Sequence, residues 1–440
     1  MTDEFDVRRI RESLGGMVVR DVMFQPLPGE PHIKVRSVSL GSHPSLSPML
    51  ITRNVAAKPD RTFHGAGTGL SDMDCLIPAI AEAMERYSAS TFSHDQFLVA
   101  SASELGAAAL DLGMLPVCSM EEYLHPKCPL VDPSKAKPIR WVRGVNLFSG
   151  KSIYLPAVLV YLYAGYQSAA ERLSCPITTG CAAHTNYEQA LLGGLLEVVE
   201  RDALSIVWLQ KLTLPKIRIS SLPAPFEAIW NCFQSSSKDL QYTFFNATTD
   251  LRIPTAYCIR RSPENPIATT LVTCASALTM AEAVAKTIRD VAASLIGFRK
   301  PRPVPTEVDD FTEVHHGATF MANAKQASAF DFLLSSNETE ELTSISPACT
   351  SSLGASSALQ HLVQRLHTKG HQVYAVDLST DEALRCGLKI VRVLVPSLQP
   401  LPYKYRARYL GHSRLYDAPR LMGYLTHDER GINPWPNPFA

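Results

Sequence analysis

Three charged residues recur at one spacing in this 440-residue chain: Glu82, Glu85 and Arg86, then Glu197, Glu200 and Arg201. Each set reads E-x-x-E-R, and the first glutamates lie 115 residues apart. Glutamates three apart share one face of a helix and repel each other unless a cation intervenes. Two such pairs facing one cleft would present four carboxylates, the hard oxygen donors that Mg²⁺ takes when it is shared with nucleotide phosphates. On a solvated helix the same residues would only form i,i+4 pairs with their arginines, worth a few tenths of a kcal/mol. The second copy argues against that reading. Ala190, Leu191, Leu192, Leu195, Leu196, Val198, Val199, Ala203 and Leu204 cover most of its helix circumference, which is the pattern of a buried helix. Charges there need partners or a metal.

Cys181 and His184 form the other reactive-looking pair, in TTGCAAH (178–184). The spacing allows a Cys–His dyad, but a tight turn holding a small buried thiol is the favoured reading. The ten cysteines contain no C-x-x-C, so neither a zinc site nor a redox motif is expected.

The elements that must position these groups alternate strand-like and helical patterns. The sequence predicts strands around 17–19 and 35–40. A glycine-rich loop, RTFHGAGTGL (61–70), then feeds the first acidic helix. Asp72 or Asp74 would cap that helix and Pro78 would occupy its first turn. Backbone amides of a Gly67-Thr68-Gly69 loop could approach a phosphate. A second unit runs from the strand-like 152–162 through 178–184 into the buried helix. A third has a strand within 267–278 and a helix over 281–299, which carries Asp290 and Ser294 instead of the charge pair. Three such units suggest an internally repeated α+β or α/β domain. Residues 300 to about 350 read as polar and mobile. A helix over 355–367 and strands at 372–378 and 388–395 follow.

The last residues, NPWPNPFA, contain Pro434, Pro436 and Pro438. Alternating proline favours an extended chain at low ordering cost. Trp435 and Phe439 would be costly to leave in water, so the tail is expected to thread into a cleft and bring the carboxylate of Ala440 there.

Composition bounds the rest. Lys+Arg 42 balance Asp+Glu 42, which argues against a dominant basic surface for nucleic acid. The charged start MTDEFDVRRIRESLGG lacks a signal-peptide core, and no apolar run reaches a membrane span. A cytosolic protein is expected.

Taken in order, GAGTGL(x)₁₁EAMERYSA (65–89), TTGCAAHTNYEQALLGGLLEVVERDA (178–203), VYAVDLST…LKIVRVLVPSLQPL (373–401), RYLGHSRLYDAPRLMGYL (408–425) and the proline tail resemble the YcaO superfamily. The likeness is to members that form azoline rings in ribosomally made peptides. It implies an α+β YcaO fold whose repeated strand–helix units surround an ATP/Mg²⁺ site, with a strand-rich 1–60, a core over 61–402 and a C-terminal segment over 403–440. It implies ATP-dependent cyclodehydration of Cys, Ser or Thr in a precursor peptide to thiazoline or oxazoline. Glu82, Glu85, Glu197 and Glu200 would hold Mg²⁺. Arg86, Arg201, Gly67, Thr68, Gly69 and Gln189 would bind ATP. Ala440, set by Pro434, Pro436 and Pro438, would assist proton transfer.

Two departures stand out. Thr68 replaces the family's usual lysine, and Pro78 replaces a serine, so either the nucleotide sits differently or another basic residue substitutes. Expected partners are the precursor peptide, a separate leader-peptide-binding protein, a flavin-dependent azoline dehydrogenase and a second copy in a homodimer. The alternatives are thioamide or amidine formation, or a non-catalytic peptide-docking scaffold.

Overall fold

The computed structural model describes residues 6–12, 15–41, 63–300, 302–350 and 353–439. Three sheets are arranged about three long helices. The first contains β1 (Val18–Phe24), β2 (Lys34–Leu40) and β3 (Phe63–Gly69), all antiparallel. Helix α1 (Asp72–Ser88) follows β3 directly. A six-stranded sheet takes β4 (Leu98–Ser101), β5 (Pro138–Asn146), β6 (Ser152–Pro156) and β7 (Cys181–His184), and α2 (Tyr187–Gln210) leaves β7. A five-stranded sheet is built from β8 (Lys216–Arg218), β9 (Gln241–Asn246), β10 (Thr255–Arg261) and β11 (Thr270–Ser276), with α3 (Met280–Gly297) after β11. β12 (Thr339–Glu341) joins it beside β8, in parallel. After α4 (Ala355–Thr368), β13 (Tyr374–Asp377) and β14 (Lys389–Leu394) complete the six-stranded sheet, and α5 (Arg414–Leu421) precedes the tail.

The strand orders β1-β2-β3, β4-β5-β13-β14-β7 and β11-β10-β9-β8-β12 put β3, β7 and β11 each at a sheet edge. Each edge strand carries its own helix, and each helix also packs on the next unit's strand. α1 touches β3 and β7, α2 touches β7 and β11, and α3 touches β11 and β3. The expected internal repetition is therefore a closed ring of three strand–helix units.

The stretch expected to be a phosphate-binding glycine loop is a strand. Gly65, Gly67 and Gly69 face α1 on one side of β3, where a Cβ would meet the Ala79 carbonyl at 2.0 Å, the Cys75 carbonyl at 1.9 Å and the Asp74 Cβ at 2.3 Å. Glycine is needed there for close packing of strand on helix. Ser71, rather than Asp72 or Asp74, caps α1, and Asp74 returns a bond to the Ser71 amide in a capping box. Pro78 lies in the second turn of α1, not the first, on an exposed side where water can reach the carbonyl its missing N–H leaves unbonded.

The segment expected to be mobile after residue 300 is ordered core. Phe311, Met321, Phe330 and Leu333 are fully buried within it, and a helix spans Val314–Met321. Its few apolar residues are spaced too irregularly to show a period, yet they anchor it under the C-terminal end of α2. Among the described residues no helix is long and apolar enough to cross a membrane.

Candidate nucleotide and metal site

Edge strands leave unpaired backbone amides. Here the acidic helices satisfy three of them, and a fourth amide, of Gly180 immediately before β7. Glu82 Oε2 accepts from the Ala66 amide in β3 at 2.6 Å, and Glu85 Oε1 accepts from the Ala183 amide in β7 at 2.7 Å. One unit on, Glu197 Oε2 accepts from Gly180 at 3.0 Å and Glu200 Oε2 from Ser276, at the end of β11, at 3.3 Å. The first glutamate of each pair thus holds its own unit's strand and the second holds the strand of the next unit. This is why two carboxylates three residues apart are needed in each copy.

The two copies also match in register. Glu82 comes eleven residues after the N-cap Ser71, and Glu197 eleven after the N-cap Asn186. In the third unit the N-cap is Thr279, and Asp290 falls eleven residues after it. Asp290 therefore occupies the place of the first glutamate. Sequence spacing from the helix starts carries this signal, but E-x-x-E-R alone does not.

The five carboxylates influence one another around the ring. Burial pushes the Glu85 carboxyl well above the usual range, and the charges of Glu82 and Glu197 add to the shift. Burial raises Glu200 to about 7 against the opposing Arg201, with Asp290 and Glu197 contributing further. Asp290 rises for the same first reason, offset by Arg201 and Lys286. Dense protein surrounds Asp290 on most sides although its side chain is open to water. Together those two facts describe a residue lining a concavity. Solvent there moderates the shift.

Three cations face these acids. Arg86 bonds Glu82 at 2.5 Å and the His64 carbonyl at 2.5 Å, tying helix to strand. Arg201 stands 3.5 Å from both Glu197 and Glu200, and their charges outweigh the burial that would favour its neutral form. Lys286, one turn before Asp290, donates to the Ser276 carbonyl at 3.4 Å. Thr68 is half-buried in β3.

Not every expected residue joins this group. Gln189 is exposed in the first turn of α2, about 12 Å along the axis from Glu197. Cys181 and His184 lie an odd number of residues apart on β7 and so point to opposite faces. The buried Cys181 thiol accepts from Arg392 at 3.2 Å and its pKa is raised by burial, against the lowering influence of that arginine. It is the buried structural thiol, after a turn at Gly180 with φ of 83°. All ten cysteines are free.

The tail is threaded. Trp208 Nε1 donates to the Trp435 carbonyl at 3.2 Å, and the Asn433 side chain donates to the Trp208 carbonyl at 3.0 Å. Pro436, Asn437, Pro438 and Phe439 are buried, and Pro434 is exposed. Phe439 meets Tyr257 edge-on at 5.3 Å. Tyr257 pairs across strands with Cys274, whose thiol feels the charges of Glu200, Arg201 and Asp290. The tail therefore ends beside the acidic ring. Ala440 lies outside the described residues.

Among the described residues no three His, Cys, Asp or Glu side chains already converge as a ligand set. The donor chemistry nonetheless suits a divalent cation bound with phosphates. The buried Glu85 and Glu200 have raised proton affinities, each of the four glutamates spends one oxygen on an amide, and arginines flank them.

Comparison with known proteins agrees with that chemistry. Residues 66–399 match the family model described as YcaO cyclodehydratase, ATP- and Mg²⁺-binding. The chain belongs to the YcaO family. A heterocyclase solved with substrate and cofactor superposes with a TM-score of 0.75 at 20% identity, over 97% of this chain and 55% of that one. The YcaO protein of Methanopyrus kandleri, solved with AMPPCP and Mg²⁺, gives 0.63 at 17% identity over 88% and 87% of the two chains. A curated relative, an uncharacterised protein in the tfuA 3′ region of Rhizobium leguminosarum bv. trifolii, is 28% identical over 195 residues, 43% of either chain. The chain thus spans about half the length of the heterocyclase and matches less than half of the curated relative.

Proposed function

We propose that this protein is an ATP-dependent peptide cyclodehydratase, converting Cys, Ser or Thr of a ribosomal precursor peptide to a thiazoline or oxazoline. The observation that carries this reading is the ring of Glu82, Glu85, Glu197, Glu200 and Asp290 with Arg86, Arg201 and Lys286. Glu82, Glu85, Glu197 and Glu200 would hold Mg²⁺, whose contribution when bound is to offset phosphate charge.

The chemistry needs activation because an amide oxygen is a poor leaving group. The substrate's side-chain nucleophile attacks the preceding carbonyl, the resulting oxyanion takes the γ-phosphoryl of ATP, and phosphate departs. Arg201 and Arg86 stabilise charge as it moves between phosphate and the former amide oxygen. Gly67, Thr68 and Gly69 would not cradle phosphate, because they form β3 packed on α1; Lys286 takes that part. Gln189, in the first turn of α2, is at most at the site's margin. The threaded Pro434–Phe439 segment would place Ala440 to assist proton transfer. The partners in this reading are a precursor peptide and a separate leader-binding protein, with a flavin-dependent azoline dehydrogenase acting downstream; a homodimer is compatible with it, and the work is done in the cytoplasm.

The test is reconstitution with ATP and a precursor peptide, read by mass spectrometry. Loss of one water per ring with ADP and phosphate release supports the reading. A gain of sulfur in place of oxygen points to thioamidation, and no ATP turnover points to a scaffold.

A further inference from the structure

The helix Val314–Met321 carries a buried glycine, Gly317, in its middle. Its backbone there is helical, a conformation open to any residue, and alanine would favour the helix more than glycine does. Packing is therefore the reason for the glycine. The three atoms nearest to a Cβ at Gly317 all belong to one residue of the tail: the Asn437 carbonyl oxygen at 2.1 Å, the carbonyl carbon at 3.2 Å and the nitrogen at 3.4 Å. Helix and tail backbone meet here with no side chain between them. Residues three apart share a helix face, and Phe320 lies against Trp435 with ring centroids 6.3 Å apart. Gly317 and Phe320 thus form one seat, under tail residues 437 and 435.

The two sides of this contact are not equally free to move. Phe311 before the helix and Met321 at its end are fully buried, as are Phe330 and Leu333 beyond it. Asp309 pairs with Arg406 at 2.5 Å, Asp310 pairs with Lys127 at 2.6 Å, and the Tyr405 amide donates to the Phe311 carbonyl at 3.2 Å. The same 405–408 stretch holds the root of the tail. The Tyr405 hydroxyl donates to the Pro434 carbonyl at 2.9 Å, and Arg408 donates to the Asn433 carbonyl at 2.9 Å. Seat and root are therefore one body. Pro436 to Phe439 belong to no helix or strand, so they can lift without breaking a ladder. A methyl group on Gly317 would move Asn437 by about 1 Å or more, the distance needed to reach ordinary contact.

We infer that Gly317 is a positioning residue: its missing side chain sets the depth at which the tail lies, and through Asn437 the place of Phe439 beside Tyr257. What the end of the tail does there rests on the function proposed above; the seat does not.

The test is Gly317→Ala in the full chain, with Gly297→Ala as the control, since a Cβ at Gly297 meets nothing within 4 Å. Carboxypeptidase is expected to release Ala440 and Phe439 about tenfold faster from Gly317→Ala than from the wild type or the control. The unfolding transition should stay cooperative and Mg·ATP affinity should not change. In the reconstitution described above, kcat for ring formation should fall about a hundredfold with KM for ATP unchanged, which a general loss of structure would not produce. Should Gly317→Ala unfold without cooperativity, Phe320→Leu, which removes the ring facing Trp435, decides by the same readouts. Release at the wild-type rate overturns the inference, because the helix and not the tail has then given way. Weakened Mg·ATP binding with the tail still protected overturns it as well. Faster release with kcat unchanged supports the seat and counts against the part proposed for Ala440.

Discussion

Glu200, raised to about 7 by burial against an ordinary 4.5, changes charge near neutrality. In the folded protein it keeps its proton to higher pH than in the unfolded chain. The stability this lends is full below about pH 4.5 and is lost as pH rises through 7, about 3 kcal/mol in all. Glu85 acts in the same direction. The metal-free protein should therefore melt at progressively lower temperature between about pH 5 and 8, and Mg·ATP should raise the melting point more at the upper end, where the carboxylates are ionised. A melting temperature that is flat over that range, with a pH-independent response to Mg·ATP, would refute the assignment. Replacing Glu82 or Glu200 with Gln is expected to abolish Mg·ATP-dependent turnover while circular dichroism stays unchanged. Wild-type activity in both variants would reduce these residues to strand clamps.

The strand–helix contacts give a sharper test of how β3 works. Gly67→Ala puts a methyl 1.9 Å from the Cys75 carbonyl, and β3, hydrogen-bonded to β2 and packed along α1, cannot retreat without breaking one of these contacts. It should cost about 3 kcal/mol or more, read by denaturant unfolding. Thr68→Ala faces away from α1 and should change stability by less than about 1 kcal/mol. If β3 were a phosphate loop instead, Thr68→Ala would cost ATP affinity and Gly67→Ala would leave stability alone. The same strand shows where sequence reading succeeds and where it stops. E-x-x-E-R and the all-round apolar helix were legible because charge and periodicity are local. The fragment GAGTG is ambiguous from sequence, since glycine serves a tight loop and a close strand–helix contact equally well; only the helix lying on it decides. Asp290 escaped the motif because one acid without its pair has no spacing to recognise. Residues 311–333 looked solvated because their core contacts are with elements remote in sequence.

Across the whole molecule, the last 230 residues return to the two acidic helices rather than forming a separate body. Arg414 on α5 is buried between Asp202 and Asp250 at 2.8 Å from each, and Asp202 directly follows Arg201. The tail then lies along the end of α2, fixed at Trp208. Phe439→Ala removes the contact with Tyr257. Because a tail can lift without unfolding the rest, its loss should appear as carboxypeptidase digestion back towards Asn433 and a melting point lowered by a few degrees. Resistance equal to the wild type would show that Trp435 and Asn437 hold the tail unaided. Ring formation should fall further than ATP affinity if the tail serves proton transfer.

The ring of three units is not held equally at its joints. Glu85 fastens the first unit to the second and Glu200 the second to the third, but the position of the second acid in α3 is Ala293. No carboxylate of α3 takes a β3 amide among the described residues. A closed ring with two riveted joints and one plain one opens at the plain one. The amides at the seam between α3 and β3 should therefore exchange with deuterated water ahead of those at the other two seams.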